Sequence, residues 1–312
     1  MYGIIDLGSN TIHLKIYKKD RKKLVELVDK KEFAKLASYV ENNELSEVGI
    51  EICIIILKQF KETLKLFGVK DYYVLATASL RNVNNKDSII ERIKKEVDLD
   101  VIVLSGEEEC LYDYYGVKLS EEINNGMIID IGGGSTEVVF IKDDGDINKY
   151  SIPFGSISSV SGKREHIINS NQMKDIKKTI KRELSNFATI DYSLEKIIGV
   201  GGTLRALRKV LKKDNNVIEL NEIDSLIKLA KNSKKEYQNL LLSIIPERIF
   251  TFTPGIIIVK TIMKYYKLNT ISISDYGIRE GYLDFVLRNK VSEWVHILKI
   301  ENYHGLNLMK EY

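Results

Sequence analysis

Residues 126–142 read GMIIDIGGGSTEVVFIK: an apolar run that ends at Asp130, a turn of three glycines and a serine, and an alternating strand. Residues 2–18, YGIIDLGSNTIHLKIYK, have the same form. An ungapped match sets Asp6 on Asp130, Gly8 on Gly132 and Lys18 on Lys142. In the second strand of the first copy, Ile12, Leu14 and Ile16 alternate with His13, Lys15 and Tyr17, the period of a strand with one buried face. A device used twice in one chain points to a duplicated unit.

Working outward from each copy gives the same order of elements. After the first, strands are expected at 2–7, 12–17 and 24–28, with KKDRKK (18–23) as a solvated turn. A helix follows from Ser46 as N-cap to about 67, then a strand at 72–77, the helix KDSIIERIKKEV, a strand at 101–105 and a helix at 106–117. After the second, strands fall at 126–131, 136–142 and 147–152 around an Asp144-Gly145 turn. A helix at about 172–188, the strand KIIGV, the helix TLRALRKVLKK, a strand at 270–274 and the helix GIREGYLDFVLR complete it. Both read βββαβαβα, the second with a mostly helical insertion at about 216–268. The expected fold class is therefore α/β, with two duplicated ribonuclease H-like lobes facing a central cleft. Residues 1–120 form the first lobe and 121–289 the second, and the tail 290–312 is expected to join the first. Each lobe would present its first hairpin turn to the cleft.

The chain has 312 residues, 44% hydrophobic and 29% charged, which suits a water-exposed globular protein of two domains. A net charge of +3 is too small to argue for nucleic-acid binding. Two cysteines, Cys53 and Cys110, give neither a disulfide framework nor a zinc-ligand pattern. No apolar run is long enough to span a bilayer, and a strand begins within a few residues of Met1, so the expected location is the cytoplasm.

The chemistry gathers at the turns. Glycines let the backbone come close to a ligand, and their N–H groups can converge on phosphate oxygens. In IDIGGGST (129–136), Gly132, Gly133, Gly134 and Ser135 would form such a nest. Asp130 beside it calls for an intervening cation, and Mg²⁺ bridges carboxylate to phosphate, with Glu137 within reach of the same ion. In IDLGSNT (5–11), Asp6, Gly8, Ser9 and Asn10 form the partner turn. In IIGVGGTLRAL (197–207), Gly201 and Gly202 open a helix whose N-terminus suits an anion, though close strand–helix packing explains them as well. SGEEEC (105–110) puts three glutamates in a first helical turn, which is ordinary helix chemistry. One of them facing the cleft would serve as a general base, and composition does not say which. Arg81 of ATASLRN (76–82) is read at the end of a strand, placed either to stabilise phosphoryl charge or to make a surface ion pair.

Together, IDLGSNTIHL, ATASLRNVNN, SGEEEC, IDIGGGSTEVVF, IPFGSISS, GVGGTLRAL and SDYGIREGYL resemble the exopolyphosphatase and guanosine pentaphosphate phosphohydrolase family, within the actin, heat-shock chaperone and sugar kinase superfamily. They occur in the family's order over about 2–285. The resemblance implies hydrolysis that releases terminal orthophosphate from polyphosphate, or from a guanosine pentaphosphate. It assigns Glu109 as general base and Arg81 as its catalytic companion, and Asp130 and Glu137 as Mg²⁺ ligands. Asp6, Gly8, Ser9, Asn10, Gly132, Gly133, Gly134, Ser135, Gly201 and Gly202 would contact phosphate. It also suggests a homodimer with no nucleic-acid or membrane partner. Cys110 replaces the family's alanine after the glutamate. AKLASYV (34–40) replaces a glycine-bearing loop, and FTPG (252–255) only loosely matches a Pro-Gly stretch. The match ends before the helical domains of longer members, which implies a short two-domain form. Polyphosphate ranks ahead of the nucleotide because no base-recognition signature stands out. An actin-like ATPase switch, a kinase and an inactive phosphate binder are the competing readings.

Overall fold

The computed structural model describes residues 1–20, 23–160, 167–187 and 194–289. The tip of KKDRKK and the tail 290–312 lie outside the described residues. The elements run β1 (Tyr2–Leu7), β2 (Ile12–Asp20), β3 (Lys23–Glu32), a small ribbon of β4 (Val40–Glu41) and β5 (Glu44–Leu45), α1 (Glu47–Leu66), β6 (Asp71–Ala76), α2 (Ala78–Arg81), α3 (Lys86–Val97), β7 (Val101–Val103) and α4 (Gly106–Lys118). The second half has β8 (Gly126–Ile131), β9 (Thr136–Ile141), β10 (Ile147–Ile152), α5 (Ser170–Ser185), β11 (Lys196–Val200), α6 (Gly201–Val210), β12 (Val217–Glu219), α7 (Leu220–Asn232), α8 (Lys234–Ile244), α9 (Phe252–Tyr265), β13 (Thr270–Ile273) and α10 (278–289). The duplicated α/β order expected from the sequence is the order observed.

Two mixed sheets result. The first has the order β3-β2-β1-β6-β7 and the second β10-β9-β8-β11-β13-β12. In each, an antiparallel hairpin pair leads into parallel strands: β1 pairs β6, and β8 pairs β11. The insertion is not only helical, since β12 adds an antiparallel edge to β13. The third strand is longer than its apolar core LVELV because β2 pairs with it along its whole length. Residues 104–105 leave the sheet because Ser105 caps α4. Ser46 does occupy the N-cap of α1, but its side chain makes no capping bond. Among the described residues no helix is long and apolar enough to cross a membrane.

Strand alternation sorts the side chains by face. Ile5, Leu7, Leu14 and Ile16 join α1 and α3 in one core. Ile4, Tyr17 and Leu75 face the other way, against Ile278, Tyr282, Leu283 and Leu287 of α10. In the second sheet, Met127, Ile129 and Ile131 join the core with α5, α6 and α9. Ile128, Val139 and Ile141 face Cys110, Tyr114 and Val117 of α4. The sequence reading kept each closing helix with its own lobe. In the structure α4 lies on the second sheet and α10 on the first, each covering the apolar face that the other half leaves open. The two helices cross at glycines: a Cβ on Gly281 would sit 2.6 Å from the Gly116 nitrogen, and one on Gly116 would meet the Gly277 backbone.

Candidate active site

The same alternation aims the acids. Asp6 shares its face with Ile4, and Asp130 with Ile128, so both point towards the crossing helices rather than into the outer cores. Glu137, two residues before Val139, joins them. One cleft is lined by Asp6, Gly8, Ser9, Asn10, Glu109, Asp130, Gly132, Gly133, Ser135, Glu137, Gly201 and Gly202. Of the residues picked from sequence, Gly134 and Arg81 stand just behind the lining. Gly134 abuts Ser9 and Ala78, so the two turns meet across the cleft.

Both turns are built alike. The carbonyls of Ser9 and Asn10 accept from the N–H groups of Ala37 and Lys35, each at 2.9 Å. The carbonyl of Gly132 accepts from Ser156 N–H at 2.9 Å, and that of Gly133 from Ile157 N–H at 2.8 Å. The AKLASYV segment thus buttresses its turn as FGSIS buttresses the other. The N–H groups of Gly8 and Gly132 close their own turns on the Thr11 and Ser135 carbonyls, at 3.1 and 3.0 Å, so a ligand would draw on the later N–H groups of each turn. The Asn10 Nδ2 and Arg279 Nε groups are also buried without an acceptor, an arrangement that an anion would complete.

The three glutamates at the start of α4 separate by environment. Glu108 closes the capping box, accepting from Ser105 N–H at 2.8 Å. Glu107 is exposed near Lys149. Glu109 is buried, paired with Arg81, and faces the cleft. Arg81 is the last residue of a one-turn helix rather than of a strand. From there it donates to the Leu104 carbonyl at 2.9 Å and lies 3.8 Å from Glu137. Ser151 donates to Glu137 at 2.8 Å. Gly201 opens α6 with φ of +83°, and a Cβ there would overlap the Asp130 carboxylate; only glycine fits this left-handed position at no steric cost.

Sequence reasoning missed the cationic wall. Lys31, Arg205, Arg248 and Arg279 all line the cleft. Arg279 donates to Asp6 at 2.8 Å. Its neighbour Glu280 is fully buried, takes the Gly277 N–H at 3.0 Å and Lys15 at 3.1 Å, and so fastens α10 to the first hairpin. Arg205 and Arg248 come from α6 and from the turn before α9. In sequence each looks like one more surface arginine. His13 and Asp113 were also missed; Asp113 lies four residues after Glu109, on the same helix face, and an aspartate inside LYDYYGV was the available signal.

Burial governs the acids. It lifts Asp130 to about 6, with Asp6 adding to the effect and Arg205 opposing it. Burial and then the Asp130 charge lift Glu137 to about 7. Burial and then Glu137 hold Glu109 well above the usual carboxylate range, against Arg81. Acids raised in the folded state favour the fold while protonated, and that contribution is lost as pH rises through the folded value. The metal-free protein is therefore expected to lose thermal stability between about pH 4 and 7, from the ordinary carboxylate values up to the raised ones. Magnesium should flatten the loss by neutralising the same carboxylates. A melting temperature independent of pH over that range, with and without Mg²⁺, would contradict this picture.

The donor set suits a hard cation, since Asp130 and Glu137 stand directly opposite each other on β8 and β9 and offer carboxylate oxygens to one point of the cleft. Among the described residues no three acidic, histidine or cysteine side chains converge closely enough to hold an ion alone. An ion at Asp130 and Glu137 would draw its other oxygens from water or phosphate, as Mg²⁺ commonly does.

Two α/β lobes present paired glycine-bearing turns, a buried glutamate, and acidic and basic side chains to one cleft, the arrangement of a class of protein that handles phosphoryl groups. The chain belongs to the Ppx/GppA phosphatase family, whose model matches residues 15–290. A guanosine-5'-triphosphate,3'-diphosphate pyrophosphatase of Aliivibrio fischeri is 26% identical over 294 residues, covering 90% of this chain and 58% of that protein. The chain thus spans little more than half the length of that relative. A putative exopolyphosphatase of Haemophilus influenzae is 24% identical, with 91% of each chain covered. Among solved structures, an Aquifex aeolicus PPX-GPPA enzyme superposes with a TM-score of 0.73 at 26% identity, covering 90% of this chain and 98% of that one. A Cytophaga hutchinsonii exopolyphosphatase gives 0.79 at 24% identity, covering 92% and 98%, a likeness of fold.

Proposed function

We propose that this protein is a Mg²⁺-dependent exopolyphosphatase, hydrolysing the terminal phosphoanhydride of inorganic polyphosphate to release orthophosphate. The observation that carries the reading is the meeting of Glu109 with two anion-ready turns in one cleft. Glu109 takes a proton from the attacking water; its raised proton affinity makes it a stronger base than an exposed glutamate. Arg81 holds its carboxylate in place. The turn N–H groups, Arg205, Arg248 and Arg279 bind phosphate oxygens and stabilise charge on the transferred group. A cation held by Asp130 and Glu137 would supply charge neutralisation at the phosphate.

Polyphosphate is preferred to the guanosine pentaphosphate because the lining is rich in charged and polar groups and, among the described residues, His13 is its one ring. A chain of phosphates needs cations and N–H donors, whereas a guanine base gains from an aromatic stacking partner. Phosphate release is to be measured with Mg²⁺ on long polyphosphate, short polyphosphate, guanosine pentaphosphate and ATP in parallel. Faster release from polyphosphate is expected; preference for the guanosine compound would transfer the activity to it, and release from none would remove the hydrolase reading. Asp130→Asn should move the Mg²⁺ activation curve to higher concentration. An unchanged titration would take Asp130 out of the cation site.

A further inference from the structure

Asp113 has no task in that scheme, yet it lines the cleft and is only 2% exposed. Its Oδ1 is buried without a hydrogen-bond partner. Arg81 is committed to Glu109 and Arg279 to Asp6; Arg205 and Arg248 also line the cleft, but the acid of this cluster that bears on them is Asp130 rather than Asp113. The start of α10 offers no relief either. A Cβ on Gly277 would lie 3.2 Å from Asp113 Oδ1, but the Gly277 N–H is already taken by Glu280. The charges that bear most on Asp113 are those of further acids, Asp130 first, then Glu137, Glu109 and Asp6.

We infer that Asp113 is the protein ligand of a second divalent-cation position on the cleft floor, distinct from the one at Asp130 and Glu137, with water and phosphate oxygens completing its shell. A dry carboxylate among like charges is costly unless a counter-ion joins it. One ion between Asp130 and Glu137 leaves Asp113 uncompensated. A single protein carboxylate suffices for Mg²⁺ when phosphate supplies other oxygens. The second charge would lie against the part of a phosphate chain that the arginines of α6 and α10 do not cover, so it favours substrates with several adjacent phosphates. This role in turnover rests on the phosphohydrolase reading; the ion position itself rests on geometry alone.

The test is Mn²⁺ binding to the full chain in the presence of inorganic phosphate, followed by the electron paramagnetic resonance of free Mn²⁺. Asp113→Asn, nearly isosteric, should lose one equivalent of bound Mn²⁺, or weaken it about tenfold or more. Asp130→Asn should lose the other. Without metal, Asp113→Asn should melt higher than the parent, because one of five crowded acids is gone. An Mn²⁺ isotherm unchanged by Asp113→Asn, or by Asp113→Ser if the first variant fails to fold, overturns the inference. Loss of the Mn²⁺ equivalent in a chain that hydrolyses no phosphoanhydride would sustain the site and end the hydrolase proposal. Hydrolysis with an unaltered isotherm would do the reverse.

Discussion

Replacing Glu109 with glutamine is expected to cut turnover by about two orders of magnitude or more, the usual worth of a general base. Substrate binding should survive, because the groups proposed to bind phosphate stand on other elements: the two turns, α6, α10 and the segment before α9. Both kcat and kcat/KM should then fall by the same factor, the pattern of an interaction made only in the transition state. The variant should also fold. Glutamine keeps the shape, and it removes a buried acid whose proton affinity is already raised by burial and by Glu137, so little stability is at stake. Arg81 loses its partner but remains near Glu137, at 3.8 Å. Turnover within twofold of the parent would show that Glu109 is not the base. A rise in KM with kcat unchanged would make it a binding group instead.

The second large effect is expected far from the phosphate. Gly281→Ala should destabilise the protein by about 3 kcal/mol, the upper end of the ordinary range for overpacking. The reason is what the added methyl meets. It would run into the backbone of α4 at Tyr112 and Gly116, with the Gly116 nitrogen at 2.6 Å. A flexible side chain could swing aside, but a helix backbone relieves the clash only if α4 and α10 separate. Separation would disturb the cleft as well. Glu109 and Asp113 ride on α4, and Arg279 on α10, so the surviving folded fraction should show reduced kcat. Denaturant unfolding measures the first effect and specific activity the second. A loss below about 1 kcal/mol, with activity intact, would mean that the crossing is loose and tolerates a methyl group.

Several features of the site were plain in the residues. Asp6 and Asp130, the two turns, the helix opening at Gly201 and the cluster of glutamates before Cys110 are local signals, written in consecutive residues. Others had no local signature. Arg205 and Arg248 sit in helical or turn sequence where an arginine ordinarily meets water. Folding of the insertion back over α6 brings Arg248 against Gly202 at the cleft, which Arg205 of α6 also lines. Arg81 was misplaced by one element because a four-residue helix is too short to leave a periodic pattern. Composition left Glu107, Glu108 and Glu109 open and the family resemblance assigned Glu109; in the structure the capping box draws Glu108 back to the backbone, while Glu109 is buried.

By itself the sequence determined the duplicated βββαβαβα order, the hairpin turns and the faces on which Asp6, Asp130 and Glu137 lie, because strand alternation and turn chemistry act over a few residues. Tertiary structure alone decided that α4 and α10 trade sheets. α4 is buried on several sides, with Tyr112 in one core and Cys110, Tyr114 and Val117 in another, so its local pattern cannot say which sheet will cover it. The trade is settled by contacts distant in sequence: Gly116 against Gly277, and Glu280 with Lys15. It is that trade which brings Glu109, Asp113 and Arg279 to one cleft.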